Sequence, residues 1–400
     1  MRILFSGIIG LSILTISAAR ADWRQFRGDS TSAVAPDVAI SGDPAQPEIE
    51  WSQPLPGRGL SSPIIVGDQV IVTASSGYQQ TRLHVLSFDL ADGGLQWERQ
   101  YWATGRTASH PKTCVAAPTP ASDGERIFAF YSSNDLACLD LDGNLLWYRG
   151  LTFDFPNASN SLGMSSSLVI ADGTVVAMVE NDSDSFTTGI DPENGEERWR
   201  IERPRAANWT SPTLWETGET TLVLLQSSKG VSAVDPHTGE TVWEYSDGAS
   251  TIPSLVAVDG LAFVPSNGLT AIRPGQTTPD VAEIVWQEGS LSPGTASPIV
   301  HDGSVFVLSK PNVLTRAAAE DGKTQWKSRL TGNFSGSPVI AGNLLYAFNE
   351  DGTGHVVDIA NRGETLGTID LGETVLSTPA VADGALFIRS DGHLWKIAGK

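Results

Sequence analysis

Cysteine is nearly missing from this chain. There are two, Cys114 and Cys138, with three methionines among 400 residues. Two cysteines without C-x-x-C or H-x-x-x-H spacing exclude a structural zinc site of the usual kind. In an oxidising compartment the pair has two readings, a disulfide or two buried free thiols. Positive charge is scarce as well: 26 Lys and Arg stand against 46 Asp and Glu, a formal charge of −20. No run of basic residues occurs, which excludes a nucleic-acid partner, because phosphate binding leans on clustered Lys and Arg. Long apolar runs are confined to the first residues. Nucleotide loops (G-x-G-x-x-G, the P-loop) and the G-x-S-x-G nucleophile turn are absent too, and no Ser/His/Asp set is apparent from local spacing.

The opening MRILFSGIIGLSILTISAARADW has a basic start, an apolar stretch from Ile3 to Ile16 and an Ala19-Arg20-Ala21 cleavage pattern. Residues 1–21 read as a secretory signal peptide; the apolar stretch is short of the ~20 residues that a membrane span needs. The mature chain is expected in the periplasm or outside the cell. Residues 22–47 lack periodicity and read as an extended lead-in, with Trp23 and Phe26 packed onto the body of the protein.

What is plentiful is glycine (40), proline (23) and tryptophan (12), the composition of many turns and few helices. These residues recur in order. A small residue and proline open each unit, as in Ser62-Pro63, Ser211-Pro212, Ser297-Pro298, Ser337-Pro338 and Thr378-Pro379. Ser165-Ser166-Ser167 takes the place of that pair in one copy. A short apolar strand follows, then a Gly/Asp hairpin turn such as Asp172-Gly173 or Asp302-Gly303. The unit closes with D-x-x-x-G-x-x-x-W, as in Asp89 to Trp97, Asp191 to Trp199 and Asp235 to Trp243. The closing aromatics are Trp51, Trp97, Trp147, Trp199, Trp243, Trp286 and Trp326, with Leu366 in the next slot, spaced by 46, 50, 52, 44, 43, 40 and 40 residues.

A period of 40–50 residues with four short strands per unit is the mark of a β-propeller. The expected fold is all-β, an eight-bladed propeller over residues 48–400 with four antiparallel strands per blade. The last unit lacks its closing strand, and Glu48 to Trp51 is a strand with nothing before it to pair with. The N-terminal strand is therefore expected to complete the last blade and close the ring. A Trp at one fixed position per blade buries roughly 200 Å² between neighbours, so the seven tryptophans read as structural. The Asp of each turn is expected to cap it.

The D-P-x-T-G-x-x-x-W unit after an S-P strand resembles the PQQ-type (quinoprotein-like) propeller repeat. That repeat builds the quinoprotein alcohol dehydrogenases and the outer-membrane protein assembly lipoprotein, which is not an enzyme. Asp22-Trp23-Arg24-Gln25-Phe26-Arg27-Gly28, Ser109-His110-Pro111-Lys112 and Asp123-Gly124-Glu125-Arg126 are similar to a secreted bacterial branch. The dehydrogenases carry an adjacent Cys-Cys pair, a calcium constellation and a catalytic Asp in long inserts. Here the cysteines are not adjacent and the chain is compact. The lipoprotein carries a lipobox Cys at its cleavage site, where this chain has Ala21-Asp22.

The resemblance implies two functions. One is a non-catalytic envelope propeller, monomeric, that binds a protein or a small anionic ligand at its channel face without a cofactor. The other is an oxidoreductase using PQQ with calcium. In a propeller the segments before each first strand face the channel mouth. The distinctive one is Arg106 to Lys112, with three basic side chains. Arg106, His110 and Lys112, with Arg58 nearby and Asn208 and Trp209 across the ring, are the expected ligand-binding residues, forming an electropositive, aromatic-walled pocket. No catalytic or metal-binding residue is assigned; the acidic loop Asn181 to Ser185 lacks the Gly and Glu of a calcium loop and reads as a solvated hairpin.

Overall fold

The computed structural model describes residues 22–158, 162–218 and 220–400; the signal-peptide reading of residues 1–21 lies outside them. The described strands form eight sheets, one per blade, each built on four antiparallel strands; blade 7 carries Val34–Ala35 of the lead-in as a fifth strand, parallel to Val339–Ala341. Blade 1 runs Ile64–Val66, Gln69–Ser76, Arg82–Asp89 and Leu95–Trp102. Blades 2 to 7 repeat that order along the chain. In blade 8 the three strands Ala380–Ala382, Ala385–Arg389 and His393–Gly399 take their fourth from the chain start: Pro47–Pro54 pairs antiparallel with His393–Gly399, Ser52 opposite Trp395. The ring is thus closed by the N-terminal strand, as its unpaired sequence pattern requires, and the last blade keeps no bare edge on its third strand.

The strands sort by position. The second and third strands are buried on both faces, as in Gln69–Ser76 and Thr174–Val179, because each blade is sandwiched between two others. The outer strands alternate, as Glu197–Glu202 does, because one edge meets water. The tryptophans sit on these outer strands and lie on the turn of the next blade. Trp51 covers Gly93, where an added Cβ would come within 2.7 Å of the indole; Trp97 covers Gly143 at 2.6 Å and Trp147 covers Gly195 at 2.8 Å. These glycines have positive φ, so both the turn and the ring above it demand glycine. Each indole N–H also donates across the interface: Trp51 to Ala91 O at 3.1 Å, Trp97 to Leu141 O at 2.9 Å, Trp147 to Pro192 O at 3.0 Å, Trp199 to Pro236 O at 2.8 Å and Trp286 to Ala319 O at 2.8 Å. The aspartates cap as expected: Asp235 Oδ1 accepts the N–H groups of His237 and Thr238.

Trp243 and Trp326 are different, since their indole N–H groups find no partner. After Trp243 the next blade replaces the D-x-x-x-G turn with the insertion between Pro274 and Ala282. Trp243 packs edge-on against Trp215 instead, ring centroids 5.4 Å apart.

A second repeated contact lies at the centre. One hydroxyl per blade accepts the backbone N–H of the blade before it. Ser62 N–H donates to Thr119, Thr119 to Ser167, Ser167 to Ser211, Ser211 to Ser254, Ser254 to Ser297, Ser297 to Ser337, Ser337 to Thr378, and Thr378 back to Ser62, at 2.9–3.3 Å. The circle of eight bonds is complete.

The lead-in does more than pack Trp23 onto the ring. It crosses the floor of the channel and bonds to every blade. Trp23 exchanges both backbone bonds with Ile65, and Arg24 O accepts from Ser122 N. The side chains of Gln25 and Thr31 accept from Ile170 N and Leu214 N. The Arg27 guanidinium donates to Leu255 O and Pro298 O. Ala33 O accepts from Ile340 N, and Ser41 N donates to Gly384 O. Residues 22–54 therefore supply both the closing strand and the floor. Deleting them is expected to lower the unfolding free energy by on the order of several kcal/mol, because an interblade indole and buried contacts are lost together. Urea titration followed by tryptophan emission measures this; an unchanged, cooperative transition would contradict the closure described.

Candidate functional site

Inner strands that lean on a central circle leave a hollow on the axis. Here it is a cavity of about 390 Å³. The hydroxyl circle lines its wall, Phe26 of the lead-in its floor, and Leu60, Leu162, Trp209, Ile252 and Leu376 its upper part, with His110 and Lys112 at the mouth. The lining is mainly apolar, and no Asp or Glu belongs to it. The eight hydroxyl oxygens accept one N–H each, and no acceptor among the described residues takes their protons. The wall therefore presents hydroxyl donors that a bound molecule can use.

Arg27 stands beside Phe26 in the chain. Its side chain is fully buried, bonded to two backbone carbonyls and to no carboxylate, and its Nε has no partner. Burial alone lowers its pKa to about 9, so it stays cationic at neutral pH. An unbalanced positive charge near the channel floor favours anions.

The expected binding residues divide. His110, Lys112 and Trp209 line this one cavity. Trp209 is half-buried and oriented by its indole N–H, which donates to Gly163 O at 2.8 Å. Arg106 points elsewhere, into a separate exposed hollow with Gln79, Gln80 and Ser109. Asn208 is buried behind the wall, donating to Glu180 Oε2 at 3.0 Å and Gln226 O at 2.7 Å. Glu180 also takes Arg203 Nε at 2.6 Å; burial pushes its carboxyl up against the pull of Arg203 and Asn208.

Two of the basic side chains expected to make the mouth electropositive, Lys112 and Arg58, are paired with carboxylates from distant blades. Lys112 Nζ reaches Glu350 of blade 7, at 2.8 and 2.9 Å. Arg58 pairs with Asp391 of blade 8 at 3.3 Å and donates to the carbonyls of Pro111 and Thr113. On the other side His110 N–H and the Thr113 hydroxyl both donate to Leu162 O. Residues 110–113 thus form a strap over part of the mouth, tied to blades 1, 7 and 8 and to the loop before blade 3. The hydroxyl circle and the Lys112–Glu350 pair were hidden from sequence reasoning; a Ser or Thr near each unit's opening proline was the available signal for the first.

Cys114 and Cys138 are free and buried, in different interblade clusters. Burial pushes their thiols up to about 11 and about 12. Of the two readings, the structure has the unpaired thiols. The Asn181 loop closes on itself, Asn181 accepting Ser183 N and donating to Asp184 O, and no cluster able to hold a metal occurs among the described residues.

The model of the family of outer membrane protein assembly factor BamB matches residues 24–181, 156–278 and 277–366. The chain belongs to this family. Its fold is shared with BamB from Moraxella catarrhalis (17% identity, 88% of this chain and 98% of that one, TM-score 0.63). It is shared also with a europium-containing methanol dehydrogenase (13%, 94% and 98%, TM-score 0.72) and the quinohemoprotein alcohol dehydrogenase of Comamonas testosteroni (14%, 95% and 81%, TM-score 0.72). No curated protein matches the sequence. Among the described residues no helix is long and apolar enough to cross a membrane.

The strap yields a pH-dependent prediction. Burial raises the Glu350 carboxyl, but Lys112 and Ser335 outweigh it and hold it below its ordinary value. A depressed carboxylate stabilises fully above its unfolded pKa and loses that contribution as pH falls through the folded value. With the Lys112 side chain 61% exposed, the coupling at neutral pH in a Lys112→Ala, Glu350→Gln double-mutant cycle is expected at ~1 kcal/mol or less, vanishing below the carboxylate range. A coupling that survives acidification would contradict the pairing.

Proposed function

We propose that this protein is a binding propeller of the cell envelope, and that its channel cavity takes a small anionic ligand, or the carboxylate end of a protein partner. The observation that carries this reading is the circle of eight hydroxyls with uncommitted protons above an unbalanced buried arginine. Donors on the wall and a cation near the floor suit acceptor oxygens. The apolar upper wall, Trp209 among it, suits a hydrocarbon or aromatic body.

An oxidoreductase using PQQ with calcium has less support. Calcium is held by oxygen ligands, carboxylates above all, and no Asp or Glu lines the cavity. The donor set does not fit that pair of groups. Membership of the BamB family is consistent with the binding reading and with an envelope location, which also rests on the leader pattern at residues 1–21.

Titration of the mature protein with benzoate, phenylacetate and hexanoate, followed by tryptophan emission and calorimetry, tests this. Saturable binding is expected, weakened about 10-fold or more in Trp209→Ala through the lost aromatic contact and weakened again in Ser254→Ala. Binding no stronger than that of the uncharged amide or alcohol analogues, or indifferent to both substitutions, would overturn it.

A further inference from the structure

Blade 1 assembles three side chains that the channel reading leaves unused. Ser76, His84 and Glu98 stand on its second, third and outer strands. In the register, Ala74 faces His84 and Ser76 faces Arg82, while His84 faces Gln100 and Leu86 faces Glu98. With a side-chain period of two, all three project from one face and meet along a diagonal. Ser76 Oγ lies 2.6 Å from His84 Nε2, and His84 Nδ1 lies 2.6 Å from Glu98 Oε1. Local spacing did not reveal this set, because strand register and not chain proximity brings it together.

The order of contacts fixes the protons. An ionised carboxylate only accepts, so Nδ1 carries the imidazole proton. Nε2 of the neutral ring is then free to accept the Ser76 hydroxyl, which is the arrangement a general base needs. Glu98 is itself positioned: its Oε1 also accepts Gln100 Nε2 at 2.9 Å, and Gln100 Oε1 accepts Arg82 at 2.9 Å. The strand bearing His84 is fixed from the next blade by Tyr131, whose hydroxyl donates to His84 O at 2.8 Å. His84 is buried (2% exposed) while Ser76 is partly exposed. Gly57 passes so close that a Cβ there would meet Ser76 Cβ at 2.7 Å, so bare backbone borders the serine.

The turn after the serine supplies donors. Gly77, Gln79 and Gln80 all have positive φ. The turn is pinned by Gln80 Oε1, which accepts Ser75 Oγ–H and Val115 N–H. The amides of Gly77, Tyr78 and Gln79 have no acceptor among the described residues, and these residues are exposed. Tyr78 (84% exposed) and Trp102 (63% exposed) flank the site, and Arg82 lies 4.4 Å over the Trp102 ring.

We propose that Ser76, His84 and Glu98 form a nucleophilic triad that hydrolyses small carboxylic esters bearing an aromatic ring, at a site separate from the channel cavity. Ser76 Oγ attacks the ester carbonyl and passes its proton to His84 Nε2. The tetrahedral oxyanion is met by amides of the 77–79 turn. The ester C–O bond breaks, and His84 protonates the departing alcohol. Water then attacks the acyl-serine, gives its proton to His84, and the acid leaves as Ser76 recovers its hydroxyl proton. Glu98 and Gln100 are positioning residues.

The test is a fluorophosphonate probe on the intact mature protein, with adducts located by mass spectrometry and phenyl acetate hydrolysis followed in parallel. One phosphonyl adduct on Ser76 is expected, absent in Ser76→Ala. Labelling should slow by about 10²-fold or more in Glu98→Gln, which keeps the shape but not the charge that orients the base. Absence of an adduct on Ser76 in wild-type protein whose circular dichroism shows an intact β-fold would overturn the proposal. So would hydrolysis unchanged by Ser76→Ala. Wild-type labelling decides the matter even if a variant fails to fold, and neither outcome bears on ligand binding in the channel.

Discussion

Everything in this molecule depends on a circle that has to close. Each blade buries both faces of its middle strands against neighbours, so an open ring would leave two large apolar faces in water. At the centre, closure takes the form of eight hydroxyl–amide hydrogen bonds running blade to blade and returning to their start. A single bond of this type contributes ~1 kcal/mol net. Its greater effect is geometric. The hydroxyl must sit at one depth in every blade, which sets how far each inner strand reaches toward the axis and holds the eight strands apart. The hollow on the axis is the consequence.

The periphery solves the same problem with larger groups. The indoles of Trp51, Trp97, Trp147, Trp199 and Trp286 each lie on the bare glycine of the next turn and donate across the gap. Centre and rim thus carry the same repeat, one polar and one aromatic. The lead-in is the non-repeating part that ties them together, bonding once or more to every blade from below and then becoming the closing strand of the eighth. Function follows the same division. The repeats furnish identical hydroxyls around the wall, whereas Phe26, Trp209, His110 and the strap give the cavity its shape and its mouth.

The parts legible in the sequence were those with a period. Tryptophan spacing marked the blades, and an unpaired Glu48 to Trp51 beside an incomplete last unit marked the closing strand. The hydroxyl circle has no fixed place relative to proline, so it carries no regular motif: in blades 2 and 5 the bonding residues, Thr119 and Ser254, follow the proline instead of preceding it. Gln25, Arg27 and Thr31 meet Ile170, Leu255, Pro298 and Leu214, on four different blades, only once the ring exists, and nothing local announces that. Charge misled in the same way. Arg58 and Lys112 look unpaired in their own segments, but Asp391 and Glu350 arrive from some 240 to 330 residues away. Asn208 lies next to Trp209 in the chain, yet alternation sends one behind the wall and the other into the cavity.

The most direct measurement of the central claim is native-state hydrogen exchange at the eight amides of the circle, on Ser62, Thr119, Ser167, Ser211, Ser254, Ser297, Ser337 and Thr378. If closure is one cooperative constraint, all eight exchange slowly and share one opening free energy, equal to that of global unfolding. Staggered values, with some blades opening their inner amides well before the rest, would contradict a ring held closed as a unit.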